Sequence, residues 1–118
     1  MKARVLLMLA VITLLFGCNI KFSKDKWAFK DGTEYPYRPV MLRDLTKNYN
    51  IRGMKYTDLV KLIGLPESKG TDKRKNEFYY NIKTNYGWDN DIIGGVTLVI
   101  VLSKDSVVDD FKIHRYKR

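Results

Sequence analysis

Val96-Thr97-Leu98-Val99-Ile100-Val101-Leu102 is a run of apolar, mostly β-branched residues in which only Thr97 is polar. Side chains of this kind favour strands. A short run without polar alternation is typical of a strand that is buried on both faces. The sequence therefore predicts a central strand here, with a neighbouring strand on each side and packing on both faces.

A strand is also predicted on each side of this run. Residues 78–83 alternate between apolar and more polar side chains, which indicates one buried and one open face. Residues 103–106 form a short hairpin turn, and residues 107–116 form the third strand. In that strand Phe111 and Ile113 are two positions apart, so they share a face. The three strands are predicted to pair antiparallel.

Two short helices are predicted before the strands. Over residues 39–48 apolar side chains recur at helical spacing, and Pro39 suits the first turn. A second helix over residues 57–63 has Thr57 as its predicted N-cap and stops at Gly64. The predicted fold class is therefore α+β, with two short helices packed on one face of a three-stranded antiparallel sheet. The element order is α-α-β-β-β, in two layers.

The connection between the first two predicted strands, residues 84–95, is long for a hairpin. Long connections are often functional or disordered, and Tyr and Trp are favoured anchors at protein interfaces. Two interpretations stay open. In one, Tyr86, Trp88 and Ile92 contact a partner protein. In the other, Trp88 folds back onto the sheet, and Ile92 and Ile93 extend the next strand.

The chain is basic, with 22 Lys and Arg against 13 Asp and Glu and a net charge of +9. Three of the cations, Lys73, Arg74 and Lys75, lie together in the charged loop over residues 67–77. They are candidate contacts for an anionic lipid or glycan. The alternative is a solvated loop whose charge keeps the protein soluble.

Residues that could carry catalysis or bind a metal are scarce. His114 is the only histidine and Cys18 the only cysteine, which is too few for a zinc site. Asp109 and Asp110 are neighbours on a predicted strand, so their carboxylates point to opposite faces. No nucleophile elbow surrounds a serine. We therefore predict no catalytic residue and no metal site, and a protein that is not an enzyme.

The N-terminus has the layout of a secretory signal, with Lys2 and Arg4 before an apolar segment too short to span a bilayer. The ending Leu15-Phe16-Gly17-Cys18 resembles the lipobox of bacterial lipoproteins. This resemblance implies cleavage after Gly17 and acyl chains such as palmitate on Cys18. No cofactor other than this covalent lipid is expected.

The implied anchor sets the predicted organisation of the chain. Residues 1–17 are the signal peptide, residues 18–37 the lipidated N-terminus and tether, and residues 38–118 the folded domain. Asn19 is not the Asp that commonly retains lipoproteins at the inner membrane, so we expect the periplasmic face of the outer membrane. Because the chain is expected in that compartment, we do not predict that its basic charge binds nucleic acid. The sequence does not define an oligomeric state.

The stretch Ile51-Arg52-Gly53-Met54-Lys55-Tyr56-Thr57-Asp58-Leu59-Val60-Lys61-Leu62-Ile63-Gly64-Leu65-Pro66 resembles the SmpA/OmlA (BamE-like) family of small bacterial lipoproteins. It is also similar to the repeat of β-lactamase inhibitor proteins, which share the α-α-β-β-β unit. The first resemblance implies a small protein-binding module that is accessory to outer-membrane protein assembly. Two alternatives stay open: an enzyme-inhibitor module of the β-lactamase-inhibitor type, and a basic module that binds anionic lipid or glycan.

The implied lipid anchor gives a first testable prediction. We expect the Cys18→Ala chain to move from the membrane fraction to the soluble fraction, because acyl chains contribute ~0.8 kcal/mol per buried CH₂ to membrane binding. Fractionation of cells that express the wild-type or the variant chain measures this. A Cys18→Ala chain that still sediments with membranes would contradict the anchor.

Overall fold

The computed structural model describes residues 20–118, which form three α-helices, one short 3₁₀ helix and four strands. The predicted signal peptide, residues 1–17, and the predicted lipidation site, Cys18, lie outside the described residues. In chain order, the elements are helices α1 (Lys24–Ala28), α2 (Arg38–Asn48) and α3 (Tyr56–Ile63), then strands β1 (Ser68–Lys69), β2 (Glu77–Tyr86), β3 (Ile92–Leu102) and β4 (Val108–Lys117).

The strands form one antiparallel sheet in the order β1-β2-β3-β4. The predicted α+β class, with short helices and an antiparallel sheet, is confirmed. The prediction of three strands is wrong, because the described residues contain four. The additional strand, β1, pairs Ser68 with Tyr79 and Lys69 with Phe78. Its two polar residues leave no hydrophobic pattern in the sequence, so only the pairing reveals it.

One face of the sheet packs against the helices. Phe78 pairs with Ile100 on β3, and Ile100 pairs with Phe111 on β4, so apolar side chains are aligned across three strands. This alignment is the one that the alternation of residues 78–83 predicted for β2. Side chains from the sheet and from all three helices form one buried cluster, which includes Trp27, Met41, Leu45, Leu59, Ile63, Tyr80, Leu98 and Ile100.

The other face of β3 is not covered by the described helices. Val99 is buried there by the side chains of neighbouring strands, whereas Thr97 and Val101 are half-buried. On the face that carries Thr97, the prediction that both faces of this strand are buried is therefore right for Val99 and wrong for Thr97 and Val101. β-Branched residues suit a pleated surface whether or not a second layer covers it, so the run could not reveal the difference.

Helix α2 begins one residue before the predicted start and ends at the predicted residue, Asn48. The predicted N-cap of the next helix is wrong, because α3 starts at Tyr56 and Lys55 occupies the N-cap. Lys55 forms a bridge with Val107, and the Tyr56 N–H donates to the Ser106 carbonyl at 2.9 Å. These tertiary bonds fix the helix start, so Thr57 lies inside the first turn.

Residues 20–37, for which we expected a tether, pack against the domain. Trp27 in α1 is fully buried, and the ring of Phe22 contacts the rings of Trp27 and Tyr49. The Ile20 N–H donates to the Val40 carbonyl at 3.0 Å. The folded part of the chain therefore begins well before residue 38.

A buried arginine joins this N-terminal segment to the sheet. Arg38 is only 3% exposed. Its Nε donates to the Trp27 carbonyl at 2.9 Å, and its Nη1 donates to Glu67 Oε1 at 2.5 Å and to the Asn81 carbonyl at 2.8 Å. Its guanidinium also lies over the ring of Tyr35, 3.5 Å from the centroid. One side chain therefore connects α1, α2, the residue before β1 and the middle of β2.

A further hydrogen bond joins the end of α3 to the sheet, and two glycines allow backbone that other residues would not. The Tyr80 hydroxyl donates to the Gly64 carbonyl at 2.8 Å, and burial raises the pKa of this hydroxyl well above its ordinary value. Gly64 has a φ of 82°, so its backbone is in the region that favours glycine. On β3, a Cβ at Gly95 would lie 2.8 Å from the Tyr116 hydroxyl oxygen and 2.5 Å from the Lys83 carbonyl, which shows how closely the neighbouring strands approach this position.

The Arg38 contacts give a second prediction. We expect Arg38→Leu to lower the free energy of unfolding by about 3 kcal/mol, because it removes the buried partner of Glu67. Arg38→Lys should give a smaller loss, since an ammonium keeps the charge but not the fork geometry. Urea denaturation followed by circular dichroism measures both changes.

Arg52 provides the matched control, because it pairs with Asp110 at 3.0 Å while both side chains remain more than half exposed. Exposed ion pairs contribute little, so Arg52→Leu should leave the unfolding midpoint almost unchanged. An equal loss in the Arg38 and Arg52 variants would contradict the central role of Arg38.

Asp44 gives a third prediction, on pH. The Phe22 N–H, which donates to Asp44 Oδ2 at 2.6 Å, and then the Asn48 side-chain amide hold the pKa of Asp44 below its ordinary value of 3.8. A carboxylate with a lowered folded-state pKa stabilises fully above its ordinary pKa, and that contribution is lost as the pH falls through the folded-state pKa.

We therefore expect the hydrogen bond from the Phe22 N–H to Asp44 to be intact at pH 5 and to weaken as the pH falls below about 3.8. The protection of the Phe22 backbone N–H against hydrogen exchange, followed by NMR, measures this. Asp44→Asn should remove the pH dependence, because a neutral amide oxygen accepts the bond at every pH. Asp110→Asn is the control, since Asp110 also has a lowered pKa, mainly because of its bond to Arg52, but lies elsewhere. Weakening that persists in Asp44→Asn would contradict the assignment.

Candidate functional site

The connection between β2 and β3 is shorter than predicted. Both strands extend into the predicted loop, which leaves Gly87 to Asp91 as a five-residue turn. The Gly87 N–H donates to the Asp91 carbonyl at 2.8 Å, and the Asn90 N–H donates to the Gly87 carbonyl at 3.0 Å. Asn90 has a φ of 66°, a conformation that Asn tolerates well. Backbone bonds therefore define the shape of this turn.

Four large apolar side chains are exposed at this end of the sheet, and we call them the hairpin tip: Tyr86, Trp88, Ile92 and Ile93. Trp88 is 98% exposed, so it does not fold back onto the sheet. Ile92 and Ile93 do extend β3, as the second interpretation of the sequence predicted. The second interpretation is therefore right about Ile92 and Ile93 and wrong about Trp88, and the partner contact of the first interpretation stays a prediction.

The hairpin tip is held from both sides. The Tyr86 hydroxyl lies 3.1 Å from the Thr33 hydroxyl, which joins it to the N-terminal segment. On the other side the Arg118 N–H donates to the Ile93 carbonyl at 2.8 Å, at the end of β4. These bonds hold the strand ends on both sides of Trp88, which limits the backbone entropy lost when a partner binds.

The predicted basic residues lie at the opposite end of β2 from the hairpin tip. Lys73 and Arg74 belong to a short 3₁₀ helix, Asp72–Arg74, and Lys75 follows it. All three are exposed. Nine residue steps along a strand separate Glu77 from Tyr86, which is about 30 Å. The structure therefore does not bring the two predicted contact sets together.

A groove of about 470 Å³ lies on the sheet face opposite the helices, and we call it the open-face groove. Cross-strand pairing places Tyr79, Val99 and Lys112 in one row, and Asn81, Thr97 and His114 in the next. Ser68, Arg74 and Glu77 complete its lining. Arg74 is thus the one residue of the predicted basic set that lines a concave site.

Sequence analysis missed the other residues of the open-face groove. Lys112 and His114 alternate with Phe111 and Ile113 along β4, so the two pairs belong to opposite faces. That alternation was the available signal, but it was used only to assign the apolar face. The two-layer prediction left one sheet face without helices, but the side chains on that face were not examined together as a site.

Polar groups line the open-face groove, and one of them is a carboxylate, that of Glu77. The Tyr79 hydroxyl donates a hydrogen bond to Glu77 Oε1 at 3.3 Å. Within residues 20–118 no group of three or more His, Cys, Asp or Glu side chains is arranged to hold a metal ion. None of the helices in that part of the chain has the length and hydrophobicity that a membrane-spanning helix requires.

No protein-family model, curated protein or solved structure matches this chain.

Proposed function

We propose that this chain is a non-enzymatic, lipid-anchored envelope protein whose domain binds another envelope protein through the hairpin tip. The observation that carries the proposal is the 98% exposure of Trp88 on a turn whose flanking strand ends are held by hydrogen bonds. Single exposed apolar residues are ordinary on a protein surface, but a cluster of large ones usually marks an interaction site. Trp and Tyr are also the residues most often responsible for binding energy at protein interfaces.

The anchor and the partner class come from the sequence. The lipobox-like ending at Cys18 supports attachment to the periplasmic face of the outer membrane. The resemblance of residues 51–66 to the SmpA/OmlA family supports a partner among the proteins that assemble outer-membrane proteins. The hairpin tip supplies the contact that such a role needs, because a Trp and a Tyr beside two Ile side chains suit an apolar depression on a partner.

The fourth prediction tests this contact. We expect Trp88→Ala to keep the unfolding midpoint, because the indole packs against nothing, and to lower the yield of crosslinks to the partner at least about tenfold. A photo-crosslinking residue at Asn90, within the turn, is activated in intact cells, and the captured proteins are identified by mass spectrometry.

Leu65→Ala is the matched control, because Leu65 is also exposed, at 71%, but lies outside the hairpin tip. It should leave the crosslinks unchanged. Capture of outer-membrane assembly proteins that depends on Trp88 supports the proposal. Substantial unfolding of Trp88→Ala, or an equal loss in Leu65→Ala, would contradict a contact at the hairpin tip. Capture of a hydrolase instead would favour the enzyme-inhibitor alternative.

A further inference from the structure

We propose that the open-face groove is a second binding site, and that its ligand is an anionic sugar carrying a carboxylate or a phosphate. This site goes beyond the proposed function, because it lies on the face of the sheet and not at the hairpin tip. Asn81 and Tyr86 are five steps apart on β2, which corresponds to about 17 Å along a strand. A partner at the hairpin tip and a ligand in the groove therefore make separate contacts.

The size of the groove suits a small ligand. Its volume of about 470 Å³ falls in the range of about 300 to 1,000 Å³ that is usual for small-molecule sites. Val99 also lines the groove and is buried, although none of the three α-helices packs against this face. Apolar lining beside polar side chains is the usual arrangement of such sites, since the apolar groups exclude water and the polar groups orient the ligand.

The charges of the groove favour an anion. Arg74 and Lys112 both line it, and both are exposed. Among residues 20–118 the ion pairs are Arg38 with Glu67 and Arg52 with Asp110. Arg74 and Lys112 are therefore available to a ligand. Glu77 is the one acid in the lining. Two cations against one carboxylate attract a negative group.

The neutral lining favours a sugar as the body of the ligand. Ser68, Asn81 and Thr97 supply hydroxyl and amide groups, which can each donate and accept hydrogen bonds. A ring with several hydroxyls matches such groups, whereas an acidic peptide would gain most from main-chain bonds along a free strand edge. The ring of Tyr79 offers an apolar surface with a polar hydroxyl, which suits the C–H face of a sugar ring.

The fifth prediction is tested by titrating the purified full chain, in micelles of an uncharged detergent, with glucuronate, glucose 6-phosphate and glucose. Backbone NMR resonances of β2, β3 and β4 report where each sugar binds. We expect both anionic sugars to shift resonances around Thr97 and Lys112, and glucose to shift them far less. The tighter of the two anions identifies the acidic group. Binding should weaken as salt is raised, because part of it is electrostatic.

Two variants, each compared with the wild-type chain, separate the contribution of the groove's positive charge from that of its neutral hydrogen-bonding groups. Lys112→Gln should weaken binding of the anionic sugars about tenfold, because a charge-assisted contact is lost. Lys61→Gln is the matched control, since Lys61 is an exposed cation on α3, on the other side of the sheet, and should leave binding unchanged. Thr97→Val keeps the side-chain shape but removes a hydroxyl, and should weaken binding several-fold.

Equal binding of glucose, or an equal loss in Lys61→Gln and Lys112→Gln, would overturn the proposal. So would binding of tri-glutamate in the groove without binding of either anionic sugar, since that result would identify an acidic peptide as the ligand. Trp88→Ala should leave the titration unchanged, so failure of this proposal and failure of the contact at the hairpin tip can be told apart.

Discussion

The guanidinium of Arg38 determines how the parts of this small domain fit together. It is almost completely buried, and it reaches the Trp27 carbonyl, the Glu67 carboxylate and the Asn81 carbonyl at the same time. A buried cation is tolerated only when its donors are satisfied, so the positions of these three acceptors are mutually constrained. Glu67 Oε1 also accepts the Asn81 N–H at 2.7 Å, which closes the network around the middle of β2.

The sheet has a packed face and an open one. On the packed face the helices and the N-terminal segment contribute to one apolar cluster. The open face is left to the side chains of the strands themselves, and there long residues such as Tyr79 and Lys112 surround Val99. The hairpin tip extends beyond both layers. The regions available for binding are therefore those that the Arg38 network and the core do not use.

Local patterns in the sequence predicted the parts of the fold that local rules control. The alternation of residues 78–83 assigned the packed face of β2, and helical spacing located α2. The errors arose where distant residues decide. Residues 18–37 were assigned to the lipidated N-terminus and tether, but Trp27 is buried through contacts with residues farther along the chain, such as Arg38. Similarly, the start of α3 is set by the Ser106 carbonyl, which no pattern around Thr57 could indicate.

The candidate sites were predicted unevenly for the same reason. The composition of the hairpin tip was evident from Trp88 and its apolar neighbours, but its presentation depends on the left-handed conformation of Asn90. The open-face groove could not be predicted, because its residues come from separate strands and a 3₁₀ helix. What makes it a site is the uncovered face, and that follows from where the helices pack.

The bond from the Ile20 N–H to the Val40 carbonyl determines how the domain would be carried on a membrane. On the proposed anchor, only one residue lies between the lipidated Cys18 and Ile20, and two residue steps of chain extend at most about 7 Å. A domain attached so closely cannot sweep a volume around its anchor. So anchored, it would meet other molecules by diffusing laterally with its lipid, and its partners would have to come within its own dimensions of the bilayer surface.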